Sequence, residues 1–407
     1  MTNKRKSGSI FISNGGGITA PMFLLLAAVP LFWTGRWTWG WTAVVACFAM
    51  ALLAAVQDIQ EEDKKEIQFN ILDPEAVLDE MIAAHEKIVD SQDGNDHKDA
   101  ANTIAKNQEH GRIVIVTGLA ALASKYGKEA QQQKQQQPQP DAGAATTTTR
   151  APECTNISLL CQEAAYIGFD CFPTDDTVVA SAAALMALVS KNSVVRERHL
   201  HEADAFGLDR PIACMRQALQ RAINAEEVTT EQEQASAELQ RKSCLLLGAL
   251  ADGDTEIACQ IVQEGGLQAI LDAVKWYRFH EEVANWSLWA LFILCYENMA
   301  NKVAVVQAGG VPVVIQTMLN VPQSQEVARH GIAILFDLMR DEQDSTAGRP
   351  TLDVWRIRNT ALTAGLHRAV AHAMAEFCDA MDIMMMGQDL LVGTDYQENI
   401  PEYRPIK

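Results

Sequence analysis

The sequence predicts an all-α protein, a stacked array of helical repeats preceded by an N-terminal transmembrane helical hairpin. Three observations predict it. Ala, Leu, Val, Met and Gln are abundant while aromatics make up only 6% of the chain, a composition that favours helices. Two stretches, 241-RKSCLLLGALADGDTEIACQIVQEGGLQAILDAV-274 and 284-ANWSLWALFILCYENMANKVAVVQAGGVPVVIQTML-319, share one layout, with Gly265-Gly266 and Gly309-Gly310 44 residues apart. That spacing falls within the period of about 40–47 residues typical of helical repeats. Finally, residues 18–56 are almost wholly apolar, with Arg36 as the one charge.

The hairpin follows from length. Residues 1–17 form a basic N-terminus with Lys4, Arg5 and Lys6, expected to be disordered. Read as one helix, 18–56 would run about 58 Å at 1.5 Å per residue, against a hydrocarbon core of about 30 Å. It would also bury Arg36 near mid-membrane at about 2.5–3.5 kcal/mol. A turn near Arg36 removes both problems. Trp33, Arg36, Trp37, Trp39 and Trp41 then sit at the membrane interface, where amphipathic indoles are favoured. Lys4, Arg5 and Lys6 precede the first span, and Lys64 and Lys65 follow the second. The positive-inside rule puts both flanks in the cytoplasm. The expectation is an integral membrane protein, lipid-bound through its N-terminus, with its repeats facing the cytoplasm. A single span over 38–56 and a cleaved targeting segment remain open alternatives.

Residues 57–130 read as an acidic linker carrying amphipathic helices, with a degenerate repeat as the alternative. In 73-DPEAVLDEMIAAHEKIVD-90, Asp73 suits the N-cap and Pro74 the first turn. Val77, Leu78, Met81, Ile82, Ile88 and Val89 make an apolar stripe. A second apolar helix spans 111–126. Residues 131–152, rich in Gln, Pro and Thr, lack the apolar area to offset the entropy of ordering and read as a disordered linker.

Residues 153–391 are the repeat region and 392–407 the tail. Each unit reads as an apolar helix, a polar gap, a short amphipathic helix, a Gly turn and another apolar helix. Helices with more than one apolar face must stack on neighbours to bury them. The run 305-VVQAGGVPVVIQTML-319, with 289-WALFILC-295 before it, resembles the armadillo repeat. It keeps the family positions Trp289, Ala290, Leu291, Ala308, Gly309, Gly310, Val311 and Pro312, and departs at Ile293, where many members carry Asn. Weaker copies carry Gly207 and Gly365, and 378-CDAMDIMMMGQDLL-391 reads as a capping helix whose Met384, Met385 and Met386 fill packing gaps. The resemblance implies a right-handed α-solenoid that binds proteins along a groove lined by its third helices. The Trp/Asn ladder of importin-like members is absent: the Trp positions are Leu245, Trp289 and Ala333, and the Asn positions Ala249, Ile293 and Asp337.

A net charge of −19 argues against nucleic acid as a partner. No phosphate-binding Gly loop, HExxH or Cys-x-x-Cys pair occurs. His199 and His201 lie two apart and point to different helix faces, reading as a solvated edge. Asn156-Ile157-Ser158 is a glycosylation sequon, and the cysteines read as reduced buried thiols. The sequence therefore predicts no enzyme, no cofactor, no metal and no small-molecule substrate. It predicts a membrane-anchored adaptor that binds protein partners with basic or extended segments, with Asn285, Trp289, Arg329, His330 and Asp337 lining the groove. The alternative is a non-catalytic structural subunit of a larger membrane complex.

Overall fold

A computed structural model describes residues 74–93, 98–136, 152–225, 227, 229–340 and 353–395. The predicted hairpin over 18–56, with Trp33, Arg36, Trp37, Trp39 and Trp41, lies outside these residues. Among the described residues all regular structure is helical, and no single helix is long and apolar enough to cross a membrane.

The first helices are α1 (Pro74–Asp93), α2 (Lys98–Gln136), α3 (Pro152–Cys171) and α4 (Asp176–Val189). Val77, Leu78, Met81 and Ile88 of α1 are buried as the stripe predicts, but Ile82 is exposed and Ala84 takes the inward place. Helix α2 extends well beyond the apolar stretch 111–126, into the Gln-rich segment read as a linker. Its flanks are Ala, Lys, Gln and Glu, strong helix formers that leave no apolar periodicity to see. Helices α1 and α2 pack on each other and on α3, and α2 also packs on α4.

Next come α5 (Ser193–His201), α6 (Ala203–Phe206), α7 (Asp209–Asn224) and α8 (Thr230–Ala251). Three helices follow at one spacing: α9 (Thr255–Gln263), α10 (Gly266–Trp276) and α11 (Glu281–Cys295). The pattern recurs as α12 (Met299–Gln307), α13 (Gly310–Asn320) and α14 (Gln325–Met339), then as α15 (Val354–Ala364), α16 (Leu366–Glu376) and α17 (Met381–Gly393). Helices α4, α8, α11, α14 and α17 form a row in which each packs on the next. Helices α7, α10, α13 and α16 make a parallel set of neighbouring contacts.

The register is exact in the core. Leu239, Val283, Val327 and Ile383 hold one position of the row helices and are each 0% exposed. Leu247, Leu291, Leu335 and Leu391 hold another and are equally buried. Each such side chain contributes roughly 1.5–3 kcal/mol by leaving water. Polar caps repeat as well. The Asp254 side chain accepts from Glu256 N and Ile257 N at the start of α9, and Asn298, 44 residues on, accepts from Asn301 N at the start of α12. Such caps are each worth about 1 kcal/mol.

The turn between the first and second helices of a unit needs the Gly pair for two different reasons. Gly265, Gly309 and Gly365 have φ of 82°, 75° and 98°, left-handed values that cost other residues about 1–2 kcal/mol. The second glycine solves a space problem. A Cβ on Gly310 would lie 2.5 Å from Val305 Cγ1, and one on Gly266 2.6 Å from Ile261 Cγ2. In the last unit Leu366 stands at that place, and the residue four before Gly365 is Ala361. The small partner there replaces the small turn residue. Gly207, read as a weaker copy of these glycines, differs: its φ is −65°, and it is needed because a Cβ would meet Ala203 O at 2.6 Å.

At Cys244, Leu288 and Ile332 the row helices bury one further apolar position, whereas Gln388 of α17 is exposed there. A polar residue marks α17 as the end of the row among the described residues.

The Gly turn generates a prediction. Gly310→Ala should cost roughly 1–3 kcal/mol through overpacking against Val305. In urea titrations, Gly310→Ala combined with Val305→Ala should lose less stability than the sum of the two single changes. Strict additivity would remove the steric explanation.

Candidate protein-binding face

Every row helix buries one side and leaves the other open. On α11 the buried arc holds Val283, Ala284, Ser287, Leu288, Leu291 and Leu294. The remaining arc begins with exposed Glu281 and Glu282. Half-buried Asn285, Trp286, Trp289, Phe292 and Ile293 follow, and Tyr296 just beyond the helix is 55% exposed. An open helix face this rich in aromatics is unusual on a soluble surface and marks a contact site. Trp286 and Trp289 meet edge to face, ring centroids 5.5 Å apart at 85°. Trp289 also lies on the bare backbone of α8, since a Cβ on Gly248 would come 2.3 Å from its ring. Trp286 Nε1 donates to Glu282 at 3.3 Å.

The same register positions on the neighbouring helices differ in chemistry. Helix α8 presents Arg241, Lys242 and Leu245; α14 presents Arg329, His330, Ala333, Phe336 and Asp337; α17 presents Met385 and Asp389. One acidic position recurs through the row as Glu238, Glu282, Glu326 and Asp382. Arg241 donates to Glu238 at 2.6 Å, and this bond holds the Glu238 carboxyl below its ordinary range. Arg329 donates to Glu326 and, at 2.5 Å, to Asp382 of α17, which raises its own pKa. Among the described residues no salt bridge joins a basic side chain to the acids of α11, Glu281 and Glu282, although Arg241 acts on Glu282 through space.

The five residues expected in the groove thus have separate positions. Asn285 and Trp289 lie on α11, and Arg329, His330 and Asp337 on α14. Asn285 Oδ1 and His330 Nδ1 are buried atoms without a hydrogen-bond partner among the described residues. Burial lowers the His330 pKa, with Glu326 opposing and Arg329 adding, so the ring is neutral near pH 7. Asp337 is engaged within the fold: Lys302 Nζ of α12, 1% exposed, donates to its Oδ1 at 2.9 Å. Sequence reasoning missed Lys302, because a lysine inside 299-MANKVAVVQ-307 looks like an exposed helix position. It also missed Phe292 and Tyr296, because the uniformly apolar α11 sequence hides which side faces out.

Other polar clusters serve packing. His199, read as a solvated edge, is 0% exposed. Its Nδ1 donates to Phe206 O at 2.7 Å, and the Tyr166 hydroxyl donates to the same carbonyl at 2.8 Å. Both bonds satisfy the carbonyl at the end of α6 and fasten it to α3 and α5. Burial drives the His199 pKa down to about 4, with the Phe206 bond opposing and Arg198 adding to the fall. Cys171 Sγ lies 2.8 Å from His85 Nδ1. Burial and nearby Asp170 push that thiol up to about 12, so it is a protonated tie between α3 and α1. Cys244 and Cys295 are buried free thiols, whereas Cys259 and Cys378 are only half-buried. Met384 is buried as packing filler, but Met385 is 63% exposed. In the sequon, Ser158 is 1% exposed within α3.

A cleft of about 620 Å³ between α2, α4, α7 and α8 is lined by the ion pairs Arg112–Asp175 and Arg221–Asp176. Among the described residues no group of three His, Cys, Asp or Glu is placed to hold a metal ion. Comparison with protein-family models, curated proteins and solved structures finds no match, so the site rests on its geometry.

Two outcomes follow. Asp337→Ala, which takes one acceptor away from the buried Lys302 ammonium, should destabilise the fold. Lys302→Met should cost less, because the Asp337 side chain left behind is 24% exposed; the reverse order in urea titrations would refute this account. For His199 the folded pKa lies below the ordinary value of about 6.5. The unfolded chain then binds the extra proton, so stability is full above about pH 6.5 and falls as pH drops towards 4. Between pH 7 and 4.5 the wild type should lose up to about 3 kcal/mol more than His199→Gln.

Proposed function

We propose that the chain is a membrane-anchored adaptor of armadillo-like, right-handed solenoid architecture that binds protein partners across the exposed sides of α8, α11, α14 and α17. The observation that carries this reading is the open aromatic face of α11. Water-facing helix sides normally carry charged residues, yet beyond its first turn α11 presents Trp286, Trp289, Phe292, Ile293 and Tyr296. Further support comes from the recurring three-helix units and their left-handed glycines. The acids Glu281 and Glu282 suit a partner carrying basic residues. The membrane anchor is carried by the sequence of 18–56 and by the positive-inside argument. A structural subunit of a membrane complex would use the same face for a permanent contact.

Site-specific photo-crosslinking in native membranes tests the reading. A crosslinker at Phe292 should capture a partner that one at exposed Gln268 of α10 does not. Equal capture from both positions would remove the face from consideration. A stoichiometric product would favour the structural subunit, and a substoichiometric one the adaptor. Carbonate extraction with protease protection of tagged termini should show an integral protein with both termini cytoplasmic.

A further inference from the structure

We propose that the aromatic face of α11 takes a proline-rich segment of its partner in the polyproline II conformation, with a basic residue of that segment beside Glu281 and Glu282. The proposal rests on the protein-binding reading above and narrows it to one class of partner.

The first reason is spacing. Trp289 and Tyr296 are seven residues apart, about 10.5 Å along the helix and close to one line on its surface. A polyproline II helix repeats every three residues, about 9.3 Å. Side chains three apart on such a ligand come within about 1 Å of the Trp289–Tyr296 interval. The second reason is shape. The Trp286 and Trp289 rings stand at 85° with centroids 5.5 Å apart, a corner that accepts a compact, rigid ring. Trp289 is held on its other side by the backbone at Gly248, so the corner is preformed.

The third reason is hydrogen bonding. Neither the Trp289 indole N–H nor the Tyr296 hydroxyl is engaged by a described residue. Both are donors here, and a proline-rich segment offers free carbonyl acceptors with few N–H groups of its own. Its conformation is set before binding, so less entropy is lost than with an unstructured chain. The fourth reason is charge. Glu281 and Glu282 sit at one end of the face and are exposed, complementary to an Arg or Lys flanking the prolines.

The test uses the full-length protein and three synthetic twelve-residue peptides, with Trp fluorescence and calorimetry as readouts. The first carries an Arg followed by a Pro-x-x-Pro-x-x-Pro core, the second has Ala for each Pro, and the third has Gln for the Arg. The first should bind, the second at least about tenfold more weakly, and the third with lower affinity and less salt dependence. Tyr296→Ala, at a side chain exposed enough to spare the fold, should weaken the first peptide at least about fivefold. Trp289→Ala should abolish its binding. If the first two peptides bind equally and Tyr296→Ala weakens both, the face binds proteins but the polyproline assignment is wrong. If the first does not bind, or binds unchanged to Tyr296→Ala, the proposal is overturned. The crosslinking result at Phe292 then decides the broader reading independently.

Discussion

The units exist because the chain can approach itself closely where the first helix of each ends and the second begins. At Gly265 and Gly309 a left-handed residue reverses the chain, and the next residue lies so close to the preceding turn that a Cβ has no room. This angle lets α10 and α13 lie beside the row helices. A second close approach fixes the other side of the unit. A Cβ on Gly331 would lie 2.6 Å from Met318, and one on Gly387 2.8 Å from Met374. The same register holds Ser243 and Ser287 in the earlier helices, both buried. Small residues at these points set how near the helices come, and the Leu and Val positions between them fill the space that remains.

The polar groups inside this framework are few, and most hold helices to one another. Lys302 reaches Asp337 across two helices, and the Gln240 side chain donates to Met215 O at 2.9 Å. Asn301 Nδ2 donates to Leu294 O at the same distance. Each joins one helix to another, and each is costly to leave unpaired in the interior. With polar capacity spent inward in this way, the open side of α11 is left to aromatic residues. The repeated acid at Glu238, Glu282, Glu326 and Asp382 shows the divergence between units. Arginines hydrogen-bond to three of the four, whereas at α11 Trp286 Nε1 donates to the carboxylate and Arg241 acts on it only through space.

The helical class and the 44-residue spacing were legible because Gly pairs and apolar helices leave strong local signals. The turn after Gly365 was legible too, although its second glycine is Leu366. Less visible was anything decided across helices. The burial of His199 depends on Tyr166, 33 residues away, and on Phe206, and no local pattern encodes it. The reach of α2 was hidden because Ala, Lys and Gln can form either a helix or a solvated linker. In the site, Trp289 was identifiable from its position in the repeat. Asp337 was not identifiable as an internal ion-pair partner, because that depends on where Lys302 points. Met385 and Met384 are adjacent in sequence and opposite in exposure, a distinction set by a helix phase that a run of three methionines does not reveal.

The contact between Trp289 and Gly248 links surface to spacing. The indole is both part of the open face and the wedge between α8 and α11. Anything that grips the exposed side of the ring also sets the gap between two neighbouring units. Conversely, bending the row at this joint tilts the ring and reshapes the face. Strain in the row and occupancy of the face therefore meet at one side chain.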